Sequence, residues 1–114
     1  MRDMTFAEYL DKVGRSTAWI KRENIDELAP TYEALAYETA REFRRYFHDG
    51  DKGTRAQNNM EVMCAALVER YGAFAQVHKM GAPDAALVVY GSHAAWYNGL
   101  KPVTVIPFDS VEAL

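Results

Sequence analysis

Six groups of residues in this chain are of types that can do chemistry, and each makes a specific demand on its surroundings. His78 falls at the end of an apolar stripe that begins at Met60. There it could serve as an acid or base, or as a partly buried histidine whose cationic form suits a helix C-terminus. His48, Asp49 and Asp51 crowd one turn with nitrogen and oxygen donors. Counted from Asp49, however, position five is Gly53 and position six is Thr54, so the spacing fails the calcium-loop pattern. No metal is expected, and the turn reads as a polar helix ending.

Tyr90-Gly91-Ser92-His93 follows an apolar run, as a nucleophile on a strand-to-helix turn would. The hydrolase elbow needs Gly-x-Ser-x-Gly, and here Tyr90 and Ala94 stand where the two glycines belong. Adjacent Ser and His also lack the geometry by which a base activates a nucleophile across space. Cys64 lies on the apolar side of a helical stripe, where a thiol acts as a small hydrophobe, not as a nucleophile. No catalytic set survives, and no cofactor is implied. A small enzyme would have to assemble His78, Ser92 or His93 in one cleft.

Two groups point to binding. Arg41, Arg44 and Arg45 share a helical face with Tyr37 nearby, and Lys52 and Arg55 follow. Between 41 and 55 five basic residues stand against Glu42, Asp49 and Asp51, which leaves a local surplus of two. Arginine beside an aromatic residue suits phosphate contact and base stacking, and equally a protein interface. The spacing predicts that this face is outward. Trp96 and Tyr97 beside Asn98-Gly99, and Trp19 in an irregular connection, are further candidate anchors, with core packing as the alternative.

The elements that must position these groups can be read from periodicity. A capping box at Thr5 and Glu8 opens a short helix carrying Phe6, Tyr9, Leu10 and Val13, which Gly14 closes. Trp19 and Ile20 are expected to pack on the core. A long helix is predicted over about 30–48, with Pro30 at its first position and Tyr32, Leu35, Ala36, Thr39, Phe43, Tyr46 and Phe47 as its stripe. A second is predicted over about 54–80, opened by Thr54 and Gln57, interrupted at Gly72 and ended by Gly81 and Pro83. A short connection makes the two antiparallel neighbours.

Beyond Pro83 the pattern changes. Ala86–Tyr90 and Val103–Ile106 are β-branched apolar runs, and Asn98-Gly99 has the composition of a hairpin turn. Two or three short antiparallel strands over about 86–107 are therefore expected, with Val103–Ile106 at an edge because Pro102 and Pro107 flank it. A closing helical turn is expected near Asp109–Glu112. The fold class is α+β: a dominant antiparallel helix pair and a small C-terminal antiparallel sheet.

Length and charge bound the rest. At 114 residues, 49% of them hydrophobic and 25% charged, residues 1–114 form one domain with one core. A net charge of −3 disfavours bulk phosphate binding. One cysteine permits no internal disulfide and fits a reducing compartment. The charged N-terminal stretch does not read as a leader, and no run approaches the ~20 apolar residues of a membrane span. The cytoplasm is the expected compartment.

The leading expectation is a non-enzymatic protein-binding module. A small regulator or inhibitor would act by covering the surface of a larger protein or complex, as proteins of phages and mobile elements do when they block host defences. Its partner-binding residues would be Tyr37, Arg41, Arg44, Arg45, Arg55, Trp96 and Tyr97. Nucleic-acid binding through the arginines is the alternative, and a homodimer is compatible with the apolar stripes.

Overall fold

A computed structural model describes residues 3–114; Met1 and Arg2, at the head of the charged N-terminal stretch, lie outside the described residues. Helix α1 spans Phe6–Val13, with the Thr5 hydroxyl accepting from the Glu8 N–H at 3.1 Å. Gly14, at φ 81°, turns the chain into two 3-10 turns, Arg15–Thr17 and Arg22–Asn24, and then the short helix α2, Ile25–Leu28. Between those turns Ala18 and Ile20 are buried, while Trp19 is 48% exposed; only Ile20 is the core anchor that the sequence led one to expect of both.

Helix α3 is Tyr32–Phe43 and continues as a π-turn, Arg44–His48. Its N-cap is Thr31, whose hydroxyl accepts from the Ala34 N–H at 3.1 Å, so Pro30 precedes the helix and does not open it. Helix α4 is Thr54–Tyr71. Gly53 precedes it, and the Gln57 N–H bonds to the Gly53 carbonyl, so Thr54 is a helical residue and no capping box forms there. Leu35, Ala36, Ala40 and Phe43 of α3 and Met63, Ala66 and Leu67 of α4 fill the space between the two helices.

The helix predicted to run to residue 80 ends at 71. Gly72 adopts a left-handed conformation, φ 64° and ψ 13°, and its N–H and that of Ala73 close on the Val68 and Leu67 carbonyls. The following residues form strand β1, Phe74–His78. Phe74, Ala75 and His78 fit a helical rhythm, but Ala75 and Val77 also fit an alternating one, and the glycine decides between them. Gly81 and Pro83 therefore sit in the turn between β1 and β2, not at a helix end.

Strand β2 is Ala86–Tyr90 and β3 is Thr104–Pro107. The sheet is antiparallel in the order β1-β2-β3, with Gln76, Val88 and Val105 in one cross-strand row. Val103–Ile106 accordingly lies at an edge. The residues between β2 and β3 form no hairpin. Ser92 caps a helix, α5, His93–Tyr97, by accepting from the Ala95 N–H at 3.0 Å, and Asn98-Gly99 ends that helix with Gly99 at φ 72°.

The chain is thus 54% helical with a small three-stranded antiparallel sheet, an α+β fold. The core lies between α3, α4 and the sheet face carrying Leu87, Val89 and Ile106; Ile25 closes it from one side and Phe108 and Val111 from another. The closing turn is a 3-10 turn at Phe108–Ser110. Among the described residues no helix is long and apolar enough to cross a membrane.

Candidate functional site

The arginines do not face outward as the spacing predicted. Arg45 is 3% exposed and Glu42 2%, and the two approach to 2.9 Å. Arg45 also donates to the Arg15 carbonyl at 3.3 Å and lies 3.6 Å from Asp51. Glu38 holds Arg15 at 2.8 Å and Arg41 at 3.5 Å. The π-turn that follows α3 aims Arg44 at the C-terminal segment, where it donates to the carbonyls of Phe108 and Val111. Tyr37 joins that strap by accepting from the Glu112 N–H at 3.2 Å, and its ring carries the Arg41 guanidinium at 5.8 Å. Arg55 is half-buried, with its Nε inside the protein and without a hydrogen bond.

This is an internal ionic centre, and its physical chemistry is that of buried charge. Burial pushes the Glu42 carboxyl up to about 7, against the opposing pull of the Arg45 guanidinium. Asn59, fully buried beside it, uses its amide twice on the 18–20 segment: it accepts from the Ile20 N–H at 2.8 Å and donates to the Ala18 carbonyl at 2.9 Å. The centre therefore pins α3 and α4 to the irregular N-terminal connection. The pairing is by proximity more than by hydrogen bonding. Arg45 Nε and Nη2 and Glu42 Oε2 are buried at ion-pair distance without hydrogen-bond geometry, so the tie holds its charges close without fully satisfying them.

The candidate catalytic residues do not converge. His78 is exposed on β1, and His93 packs edge-on against Phe74, with ring centroids 5.0 Å apart. Phe74 and His78 are the two ends of β1, about 13 Å apart at strand rise. The Ser92 hydroxyl is engaged as the α5 cap. His48 pairs with Asp49 at 2.9 Å beside a cavity of about 290 Å³ walled by Phe47, Pro83 and Phe108. Cys64 is mostly buried, and burial pushes its thiol up to about 12, so the thiolate needed for nucleophilic work is disfavoured. Among the described residues no group of three His, Cys, Asp or Glu side chains is placed to hold a metal ion.

Of the expected aromatic anchors, Trp96 is half-buried against Phe74 and His93, whereas Tyr97 is 78% exposed. Three residues that sequence reasoning passed over accompany Tyr97: Leu100, Val103 and Val105, each more than half exposed. They had a readable signal. Within an edge strand, Val103 and Val105 alternate with Thr104 and Ile106, and an alternating run has one face turned away from the core. Thr104 and Ile106 take the inner side, where the Thr104 hydroxyl meets the Tyr32 hydroxyl at 2.8 Å.

No protein-family model, curated protein or solved structure matches this chain.

Proposed function

We propose that this chain is a non-enzymatic protein-binding module, a small regulator or inhibitor that covers part of a larger partner's surface. The observation that carries the reading is the corner made by α5 and β3. Four large apolar side chains, Tyr97, Leu100, Val103 and Val105, stand exposed there within nine residues. Large apolar groups exposed together in so short a segment are candidates for an interaction site, and tyrosine is a favoured anchor.

Docking at this corner uses side chains more than backbone. The Phe108 N–H bonds to the Ala85 carbonyl at 3.0 Å, which sets the phase of the β2–β3 ladder. By the alternation of an antiparallel pair, Val105 and Pro107 then turn their backbone groups to the free edge. Pro107 has no N–H to offer, so an added strand would find little to pair with. The nucleic-acid reading has less to stand on, because Glu38, Glu42 and Asp51 pair with the arginines that motivated it.

The test is capture with the tagged protein from its native cell extract after nuclease treatment, run beside a Tyr97→Asp/Val103→Asp variant shown to be folded by its thermal melt. One stoichiometric protein kept by the wild type and lost by the variant is the expected result. Equal capture by both would remove the corner from consideration, and a wild-type catch that disappears with nuclease would revive nucleic acid.

A further inference from the structure

A second surface is built differently. Along α1, two adjoining cavities of about 630 and 340 Å³ share Phe6, Tyr9 and Asn24 as common walls. Asp3 and Glu27 line only the first, and Trp19 and Lys21 only the second. The order along the groove is therefore an acidic end, an aromatic middle, and a tryptophan with a lysine at the far end. Phe6 and Tyr9 stack at 6.3 Å, and the Phe6 N–H is held by the Glu27 carboxylate at 2.6 Å, so the middle is fixed by the helix and its neighbour. Tyr9 is 45% exposed and Trp19 48%, although both belong to aromatic types that a small domain normally spends on its core.

Of the polar groups in the groove, the Thr17 hydroxyl already donates to the Val13 and Gly14 carbonyls, and the Glu27 carboxylate accepts from the Phe6 N–H. The Asn24 amide, the Trp19 indole N–H and the Tyr9 hydroxyl remain to serve a ligand. Asn24 precedes α2, yet its side chain makes no capping bond. Among the described residues, neither the Trp19 indole N–H nor the Tyr9 hydroxyl is engaged by another group. Donors set among aromatic walls suit a ligand that presents carbonyl oxygens and apolar rings and few N–H groups of its own. A polyproline II segment has that chemistry: its carbonyls are free, its prolines have no N–H, and it is extended before it binds, so little ordering entropy opposes docking.

We infer that this groove is a second docking site, which takes an extended proline-rich segment of a partner protein with a basic residue beside its prolines. The pyrrolidine rings lie between Phe6, Tyr9 and Trp19, and the indole N–H and Asn24 amide donate to the segment's carbonyls. The basic residue lies at the Asp3 and Glu27 end, because Lys21 repels it from the other. An oligosaccharide would also stack on these aromatic rings. It brings no cation, however, to the Asp3 and Glu27 end of the groove.

The test uses the full chain carrying Trp96→Phe, so that Trp19 is its one indole. The probe is a ten-residue peptide with a Pro-x-x-Pro core and one flanking arginine. A saturable blue shift of the Trp19 emission is expected, and replacing the prolines by alanine or the arginine by glutamate should weaken binding by about tenfold each. Asp3→Lys should reverse the preference between the arginine and glutamate peptides. Trp19→Ala, followed by calorimetry, should abolish binding while Tyr97→Asp leaves it unchanged. No saturable shift, equal binding of the alanine peptide, or saturation by maltohexaose in place of the peptide would each overturn the proposal.

Discussion

The ionic centre at the end of α3 and the apolar corner after α5 reverse the ordinary relation between residue type and depth. In the first, Glu42 and Arg45 are almost wholly buried; in the second, Tyr97, Leu100, Val103 and Val105 are mostly exposed. Local geometry contributes, since the π-turn aims Arg44 inward, but it does not account for the burial of Glu42 within α3. What separates them is the material that arrives from distant sequence. The Arg15 carbonyl, Asp51, Phe108 and Val111 close over the arginines, whereas β3 is the edge of the sheet and pairs with no further strand among the described residues. Depth here is decided by coverage, and charge adapts to it by pairing.

The comparison breaks most visibly if the buried charges turn out to be dispensable. Above about pH 8, where Glu42 is ionised in the folded chain, Arg45→Ala leaves its carboxylate buried without its cation, and such losses cost about 3–5 kcal/mol. Urea denaturation should show the midpoint falling by the corresponding amount. A cost under about 1 kcal/mol would mean that the pair is solvated and that the two regions are alike.

The second test is pH. Glu42 holds its proton up to about 7 in the folded chain and, with an ordinary value of 4.5, releases it earlier when unfolded. Between those values the folded state binds more protons, so stability falls as pH rises, and the fall is complete above about pH 8. Its size is about 3 kcal/mol by linkage. Glu42→Gln, measured by denaturant midpoints from pH 4.5 to 8, should lack that fall. A parallel pair of curves would show that Glu42 is not the group responsible.

Arg44→Met keeps the stem and removes the two bonds to the Phe108 and Val111 carbonyls. A loss of about 2 kcal/mol is expected, with faster proteolysis at the C-terminal segment as the local readout. The smallest effect belongs to the corner. Leu100→Ser with Val103→Thr should shift stability by less than about 0.5 kcal/mol, because exposed side chains contribute little to folding. A shift above about 2 kcal/mol would show that the corner packs against the rest of the chain.

The parts of the fold legible in the sequence were those fixed by local patterns: the stripe of α3, most of α4, the β-branched run of β2 and the edge position of β3 between prolines. Two errors came from patterns that fit two structures at once. Phe74 to His78 suits either period, and Asn98-Gly99 suits either a hairpin or a helix end. The arginines misled for another reason. Glu38 to Arg41 and Glu42 to Arg45 are spaced i, i+3, as on a solvated helix face, and the segments that bury them lie tens of residues away. Trp96 and Tyr97 left anchor and core packing both open, and the structure divides them, Trp96 half-buried and Tyr97 exposed. Leu100, Val103 and Val105 were passed over because the edge run was read for its strand and not for its outer face.

The strap from Arg44 to the Val111 carbonyl spans 67 residues of chain. Closing so long a loop costs about 4 kcal/mol of chain entropy in an open chain, and the packing of α3 against β2 has already closed most of it in the folded one. A contact added to a fold that others hold together acts mainly on escape from that fold. Arg44→Met is therefore expected to speed unfolding more than it slows folding, as paired rate measurements in urea would check.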